Sequence, residues 1–315
     1  MDNTVCNPYM GCNLCPRACN ADRSGGETGY CGMSNEIVAA RAALHMWEEP
    51  CISGERGSGA VFFTGCQLRC VFCQNSRIAA GQAGKRISVS RLSEIFLELQ
   101  EKRANNINLV TATHFVPQVI KALDIARKNG LQIPVVYNTG SYENVETIKM
   151  LEGYVDVYLP DLKYMDTCAS AKYSNASDYF ERAAAAIREM YRQCHSPSFY
   201  SEDDELVKNG RVEEGIMKNG VIVRHLMIPG LKQDSKNIIK YLYETYRDDI
   251  YVSIMNQYTP LPQVAKFPEI NRTITQKEYN DVVDYAIDLG VLNGFIQEDG
   301  TQKESFIPEF DYEGI

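Results

Sequence analysis

The stretch that decides the fold is Ala60-Val61-Phe62-Phe63-Thr64-Gly65-Cys66-Gln67-Leu68-Arg69-Cys70-Val71-Phe72-Cys73. Its first residues are apolar, β-branched and aromatic, which is typical of a buried strand. Gly65 allows a sharp exit from that strand, and three cysteines follow with three and then two residues between them. Three thiolates on one loop can bind three irons of a cubane [4Fe–4S] cluster and leave the fourth iron open to a small molecule.

A zinc knuckle is the alternative interpretation of these cysteines. Zinc prefers four ligands, so a fourth would have to come from Cys51 or His45. The loop directly follows a first strand and precedes alternating helices and strands, which favours the iron–sulfur interpretation.

Composition limits the class of protein. The chain has 315 residues, 44% of them hydrophobic and 23% charged, and a net charge of −9, as expected of a globular protein with a large core. No apolar run approaches the ~20 residues that span a bilayer, and the N-terminus lacks a secretory signal. We therefore expect a cytoplasmic protein without membrane attachment. The absence of a basic stripe argues against nucleic-acid binding.

A second set of cysteines lies near the N-terminus. Cys12, Cys15, Cys19 and Cys31 form a C-x2-C-x3-C-x11-C pattern among turn-forming residues, with Cys6 as a substitute ligand. Four thiolates suffice for a tetrahedral zinc or for a second Fe–S cluster, and spacing does not separate the two. We predict a small Cys-rich, metal-bound extension over residues 1–50, followed by the main domain and its C-terminal helices over residues 51–315.

From residue 60 the pattern alternates between apolar strands and amphipathic helices. Strands are predicted at 60–64, 108–113, 133–138, 155–159, 221–228 and 251–255, and helices around 92–99, 119–125, 142–151, 176–193, 234–247 and 275–289. Buried β-branched strands separated by helices indicate a parallel sheet. Six units fall short of the eight that close a TIM barrel, so we predict an α/β fold with a partial, open (βα)6 barrel.

The carboxyl ends of parallel strands are where ligands bind in such folds. Asn138 ends the third strand. Asp161 and Lys163 follow the fourth and face the same way if the chain stays extended. Arg224 and His225 are neighbours in the fifth, so at most one faces the lumen, where Arg224 could clamp a carboxylate. The roles of His45, Cys51 and His225 stay open, and no catalytic residue is assigned.

These motifs together resemble the radical S-adenosylmethionine (SAM) superfamily. Cys66–Cys73, Asp161-x-Lys163 and Arg224-His225 with Pro229-Gly230 look like its pyruvate formate-lyase activating enzyme group, and Trp47-Glu48-Glu49-Pro50-Cys51 resembles an activating-enzyme-like branch of it. The resemblance implies an oxidoreductase that binds a [4Fe–4S] cluster at Cys66, Cys70 and Cys73. It also implies reductive cleavage of SAM to a 5′-deoxyadenosyl radical, which abstracts hydrogen, and a one-electron donor such as flavodoxin or ferredoxin.

The chain departs from that family in two places. Many radical SAM proteins have Gly-Gly-Glu after the second strand to hold the SAM amino group. Here the contact must come from Thr111, Thr113 or a backbone carbonyl, so the expected SAM or substrate contacts are Thr113, Asn138, Asp161, Lys163 and Arg224. The extra cysteines lie at the N-terminus rather than in an insert after the CxxxCxxC motif. The substrate is therefore a glycyl radical enzyme, another peptide or a small molecule, and the alternative from another class is a non-catalytic iron–sulfur or zinc protein.

Overall fold

A largely parallel β-sheet forms the centre of the fold. The structure is a computed structural model that describes residues 7–297 and 308–315. The strands in these residues are β1 Ile37–His45, β2 Ser58–Phe63, β3 Lys85–Ile87, β4 Ile107–Val110, β5 Val135–Thr139, β6 Val157–Pro160, β7 Ser198–Phe199, β8 Met217–Leu226, β9 Tyr251–Met255 and β10 Gly294–Ile296. Along the sheet they follow the order β10-β9-β8-β6-β5-β4-β2-β1-β3, and β7 pairs with β8.

The predicted fold class is confirmed. Strands β2, β4, β5, β6, β8 and β9 correspond to the six predicted strands, and each is parallel to its neighbour. A short seventh parallel strand, β10, follows at one edge. Among the described residues β10 and β3 lie at opposite edges of the sheet, so the barrel is open.

Helices cover the outer face of this sheet. In the described part of the chain they are α1 Pro50–Ser53, α2 Ser76–Ala79, α3 Val89–Glu101, α4 Val116–Lys128, α5 Val145–Lys149, α6 Thr167–Ser174, α7 Tyr179–Cys194, α8 Glu205–Lys208, α9 Lys232–Tyr246 and α10 Gln276–Leu289. Short 3₁₀ helices lie at Arg23–Gly25, Thr113–Phe115, Arg247–Asp249 and Pro262–Lys266. Each long helix buries one apolar stripe: in α3 Leu92, Ile95, Phe96 and Leu99 are buried, and the Ser88 side chain caps its N-terminus. None of these described helices has the length and apolar character needed to cross a membrane.

Two of the predicted helices differ clearly in their extent. Helix α5 is only five residues long, and the helix predicted at 176–193 begins at Tyr179, after the separate helix α6. Strand β1 pairs antiparallel with β2 from Ala39 to His45. The boundary predicted at residue 50 therefore falls after a strand that is part of the sheet.

The two ends of the barrel lumen differ in chemistry. Helix α1 places Cys51 and Ile52 at the N-terminal end of the lumen, where they form an apolar cluster with Val136, Val157 and Leu159. Pro50 at the first helical position suits this short turn, since its missing N–H would have no partner there. The opposite end, where the parallel strands finish, is polar.

Candidate functional site

A cavity of about 240 Å³ opens at the carboxyl ends of the parallel strands. Side chains from the cysteine loop and from β5, β6 and β8 line the same space. The polar residues among them are His45, Glu48, Cys66, Gln67, Cys70, Cys73, Gln74, Asn75, Thr111, Asn138, Thr139, Asp161, Lys163, Arg224 and Gln257. The structure thus brings the three predicted cluster ligands together with four of the five predicted SAM or substrate contacts.

The cysteine loop leaves β2 through Gly65, whose φ is +93°. A Cβ at this position would lie 2.5 Å from Met33 Cγ and 2.9 Å from the Cys31 carbonyl oxygen, so only glycine fits. Two hydrogen bonds then end on sulfur atoms of the loop: the Leu68 amide donates to Cys66 Sγ at 3.3 Å, and the Ser174 hydroxyl donates to Cys70 Sγ at 2.9 Å. Hydrogen bonds of this kind tune the potential of Fe–S clusters.

The environment of the three thiols fits a bound cluster. Burial raises the pKa of Cys70 to about 11 and that of Cys73 to about 12, and the proximity of Cys66 raises both further. As thiolates, Cys70 and Cys73 therefore need a cationic centre beside them, and iron supplies one because coordination deprotonates a thiol outright. In the described ranges no three His, Cys, Asp or Glu side chains surround one point as the ligands of a single ion do. This geometry disfavours the zinc knuckle, whereas the thiolates of a cubane each bind a different iron.

Asp161 and Lys163 face the same way, as predicted from their spacing. Lys163 Nζ donates to Asp161 Oδ2 at 2.6 Å, and Arg224 Nε donates to Asp161 Oδ1 at 2.9 Å. Burial alone would raise the pKa of Asp161, but the charges of Arg224 and Lys163 hold it below its ordinary value. Burial alone would likewise lower the pKa of Lys163, and Asp161 raises it instead. Both groups are consequently charged at neutral pH.

Glu48 joins this group from the segment that precedes α1. Its carboxylate accepts hydrogen bonds from Arg224 Nη1 at 2.8 Å and from the side-chain amides of Asn108 and Asn138, each at 3.1 Å. Arg224 Nη2 also donates to Asn138 Oδ1 at 2.7 Å. Among the described residues, the carboxylates that Arg224 binds are therefore those of Asp161 and Glu48. A contact between Arg224 and SAM or the substrate stays a prediction.

Thr113 does not line the cavity, so a direct contact with SAM does not fit its position. It is fully buried, accepts a hydrogen bond from Gln67 Nε2 at 2.9 Å and donates one to Glu143 Oε1 at 2.6 Å. Its place is behind the cysteine loop, where it holds Gln67. The residue that lines the cavity at this strand end is Thr111, whose φ of +60° is rare for a β-branched residue. Backbone strain of this kind concentrates at functional sites.

His45, Cys51 and His225 occupy different environments. His45 lines the cavity, and burial together with the charge of Arg224 lowers its pKa to about 4, so its ring is neutral. Cys51 lies in the apolar cluster at the opposite end of the lumen. The ring of His225 hydrogen-bonds to the Leu162 carbonyl oxygen and to Ser235 Oγ, so it is a satisfied core residue on the outer face of β8.

The N-terminal cysteines lie close to one another in the extension. A Cβ at Gly29 would lie 2.8 Å from Cys19 Sγ and 3.7 Å from Cys31 Sγ. The charges of Cys12 and Cys31 contribute to the raised pKa of Cys15, behind the larger effect of burial. A metal at Cys12, Cys15, Cys19 and Cys31 stays a prediction, and Cys6 lies outside the described residues.

Several residues that support the cysteine loop were not predicted from the sequence. Ser174 and Arg17 each have a hydrogen-bond partner more than one hundred residues away in the sequence. No local sequence pattern therefore identifies them. Glu143 could have been found, because it follows the end of β5 by four residues and strand ends were already the expected site. Glu48 belonged to a conspicuous polar group, but nothing in the sequence linked it to Arg224.

Comparison with known proteins agrees with this geometry. Residues 60–200 match the model of the radical SAM superfamily. Residues 60–200 are therefore similar to a radical SAM domain. It is 28% identical over 289 residues to the uncharacterized protein MJ0674 of Methanocaldococcus jannaschii, which covers 89% of this chain and 75% of that protein.

Among solved structures, the chain is similar to Streptococcus suis SuiB bound to S-adenosylmethionine, with a TM-score of 0.50 and 12% identity. The similarity covers 75% of this chain and 49% of SuiB, so the chain spans about half the length of that structure. At this identity the likeness supports the partial α/β barrel fold alone. A domain of pyruvate-formate lyase-activating enzyme from Bacteroides vulgatus has 16% identity and a TM-score of 0.37 over 58% of this chain and 91% of that domain, which is too low to support any statement about function.

Proposed function

We propose that this protein is a radical SAM enzyme of the pyruvate formate-lyase activating enzyme-like type. Cys66, Cys70 and Cys73 would hold a [4Fe–4S] cluster, and SAM would bind beside it in the cavity. When bound, cluster and SAM supply a 5′-deoxyadenosyl radical by one-electron reductive cleavage, and this radical abstracts a hydrogen atom from the substrate. The observation that carries the proposal is that one cavity is lined both by the three thiols and by the polar ends of β5, β6 and β8.

The chain's own residues would position the reactants and exclude water. Asp161 and Lys163 would face the charged or ribose part of SAM, and Asn138 would offer an amide at the next strand end. Arg224 and Glu48 would hold these groups rigid, since a buried charge that is paired and hydrogen-bonded keeps one geometry. Neutral His45 would offer a hydrogen-bond partner that does not repel the cationic sulfonium of SAM.

The electron donor and substrate are part of the same proposal. A flavodoxin or ferredoxin would deliver the electron, as the resemblance implies, and such chemistry suits a reducing cytoplasm. The substrate would be a backbone glycine of a glycyl radical enzyme, another peptide or a small molecule. Trp47, whose side chain is partly exposed and lines the cavity, would contact the part of the substrate that enters last.

The test is 5′-deoxyadenosine formation by anaerobically reconstituted protein with SAM and a strong one-electron reductant. The Cys66/Cys70/Cys73→Ala triple variant is the control, and a Cys168→Ala variant, which removes an exposed thiol outside both cysteine sets, should match the native protein. We expect product from the native protein and only background from the triple variant.

A loaded cluster without product would call for the same assay with cell extract added. Product that appears only with extract would mean that substrate gates the cleavage. No product in either assay would overturn the proposal in favour of a non-catalytic metal protein.

A further inference from the structure

The N-terminal extension contains a second convergence of thiols that the chemistry above does not use. The backbone at Gly29 lies directly against two sulfur atoms. A Cβ at this position would be 2.8 Å from Cys19 Sγ and 3.7 Å from Cys31 Sγ. The turn after Cys12 is closed by hydrogen bonds from the Cys12 amide to the Ala21 carbonyl oxygen and from the Asn20 amide to the Cys12 carbonyl oxygen. The backbone is therefore folded around the cysteines.

A buried cation lies against this set. The side chain of Arg23 is fully buried, and its Nη1 is 3.5 Å from Cys12 Sγ. Its other hydrogen bonds go to the carbonyl oxygens of Met33, Ser34 and His114. Among the carboxylates within residues 7–297 and 308–315, none forms an ion pair with it.

A guanidinium that is removed from water needs a compensating negative charge nearby. Neutral thiols do not provide that charge, whereas thiolates bound to a metal centre do, because four of them leave the centre with a net negative charge. The position of Arg23 therefore points to metal-bound cysteines rather than to four free thiols.

We propose that Cys12, Cys15, Cys19 and Cys31 bind a second iron–sulfur cluster, a [4Fe–4S] cubane with all four irons ligated by protein. A zinc ion would need these sulfur atoms around one point, and within the described residues no three His, Cys, Asp or Glu side chains are close enough to hold a single ion. The same holds for Cys66, Cys70 and Cys73, so the two sets are alike in this respect and we assign both to the same kind of centre. This last step rests on the cluster assigned under the proposed function. With no open iron, the second cluster would carry electrons or hold the extension together, and it would not bind SAM.

The test compares two cysteine variants of the full-length protein after anaerobic reconstitution. One is Cys66/Cys70/Cys73→Ala, the other is Cys12/Cys15/Cys19/Cys31→Ala, and Cys168→Ala is the matched control. Iron, sulfide and zinc per chain are measured together with the electron paramagnetic resonance (EPR) spectrum of the reduced protein, with and without SAM.

We expect each variant to keep about half of the iron of the native protein, and the control to keep all of it. The signal that remains in the Cys66/Cys70/Cys73 variant should not respond to SAM, whereas the signal that remains in the other variant should. If the quadruple variant does not fold, Cys19→Ser serves instead, because Cys19 is exposed. This variant should change only the signal that is insensitive to SAM.

Zinc in place of iron in the Cys66/Cys70/Cys73 variant, or no metal in it, would overturn this inference. That outcome is distinct from failure of the proposed function. If both iron signals are present and neither responds to SAM, SAM binding is contradicted, but the inference of a second cluster stands.

Discussion

Glu143 is a buried carboxyl behind the cysteine loop. It is 1% exposed and accepts hydrogen bonds from Thr113, Tyr137 and Thr139 on one carboxyl oxygen. Its other oxygen, Oε2, is buried without a hydrogen-bond partner within the described structure. Burial raises the pKa of this carboxyl from 4.5 to about 7, although the three hydroxyl donors lower it in part. Through Thr113 and Gln67 the carboxyl supports the cysteine loop.

We therefore predict a pH-dependent effect of Glu143→Gln on stability. A carboxyl whose pKa is raised on folding binds more protons in the folded than in the unfolded state between pH 4.5 and about 7. The native protein thus loses stability as pH rises through this window, by about 3 kcal/mol at most. Glutamine removes the ionisation. The melting temperature of the variant, relative to that of the native protein at the same pH, should therefore be several degrees higher at pH 8 than at pH 5. Glu146→Gln, at an exposed position, is the control. An equal effect at both pH values would contradict the raised pKa.

The orientation of Arg224 and His225 could be predicted from the sequence in part. Their adjacency in an apolar strand required that at most one faces the lumen. The register of β8 places Arg224 there, while His225 bonds to Leu162 and Ser235. The partners of Arg224 come from three separate segments, 63 to 176 residues away. No local pattern contains that information, so the strand-end rule located Arg224 but not what it binds.

At the scale of elements, the β2-to-loop transition depends on Gly65. We predict that Gly65→Ala destabilises the protein by roughly 2–4 kcal/mol. Alanine would be strained in the left-handed backbone conformation of this residue, and its Cβ would clash with Met33. Because the clash lies directly before Cys66, iron loading should fall as well. Gly130→Ala is the matched control: its φ of +100° is similar, but a Cβ there would meet no atom of the described residues within 4 Å. Its cost should be about 1 kcal/mol with normal iron loading. Thermal unfolding and iron content check both variants, and equal losses would refute the role of the clash.

The elements that sequence analysis missed share a physical cause. Strand β1 contains four alanines among its nine residues, and alanine has little preference for strands. It forms because β2 pairs with it on one side and the chain end lies along it, where the Ala42 amide donates to the Glu313 carbonyl oxygen. The six parallel strands were predictable because each is itself apolar and β-branched. Strands stabilised mainly by tertiary contacts leave no such mark.

At the scale of the whole molecule, the extension and the barrel are joined at the cysteine loop. Thr147 Oγ1 donates to the Leu14 carbonyl oxygen at 2.7 Å, and Arg23 donates to the His114 carbonyl oxygen at 2.8 Å. The sequence predicted two units because their compositions differ. The contacts between them involve backbone carbonyls, which any sequence provides, so the joint could not be predicted.

Arg17 is the main link across this joint. Its Nε donates to the Gln67 carbonyl oxygen at 2.8 Å, and its Nη atoms donate to the carbonyl oxygens of Ser174 and Asn175. The guanidinium also stacks on Tyr30, 4.1 Å from the ring centre. It thus holds the loop between Cys66 and Cys70 together with the segment whose Ser174 hydroxyl donates to Cys70.

We predict that Arg17→Lys increases the rate at which a chelator removes the SAM-responsive cluster by roughly tenfold. Lysine keeps the charge, but it cannot donate hydrogen bonds to three carbonyl oxygens in the plane of a guanidinium. The SAM-insensitive iron of the extension should remain. Arg86→Lys is the control, because the ion pair that Arg86 forms with Glu36 is exposed and such pairs contribute little. The measurement is the decay of each EPR signal under chelation. Equal decay of both signals would mean that Arg17 supports the general stability of the molecule, and no change would mean that the extension and the cluster loop are independent.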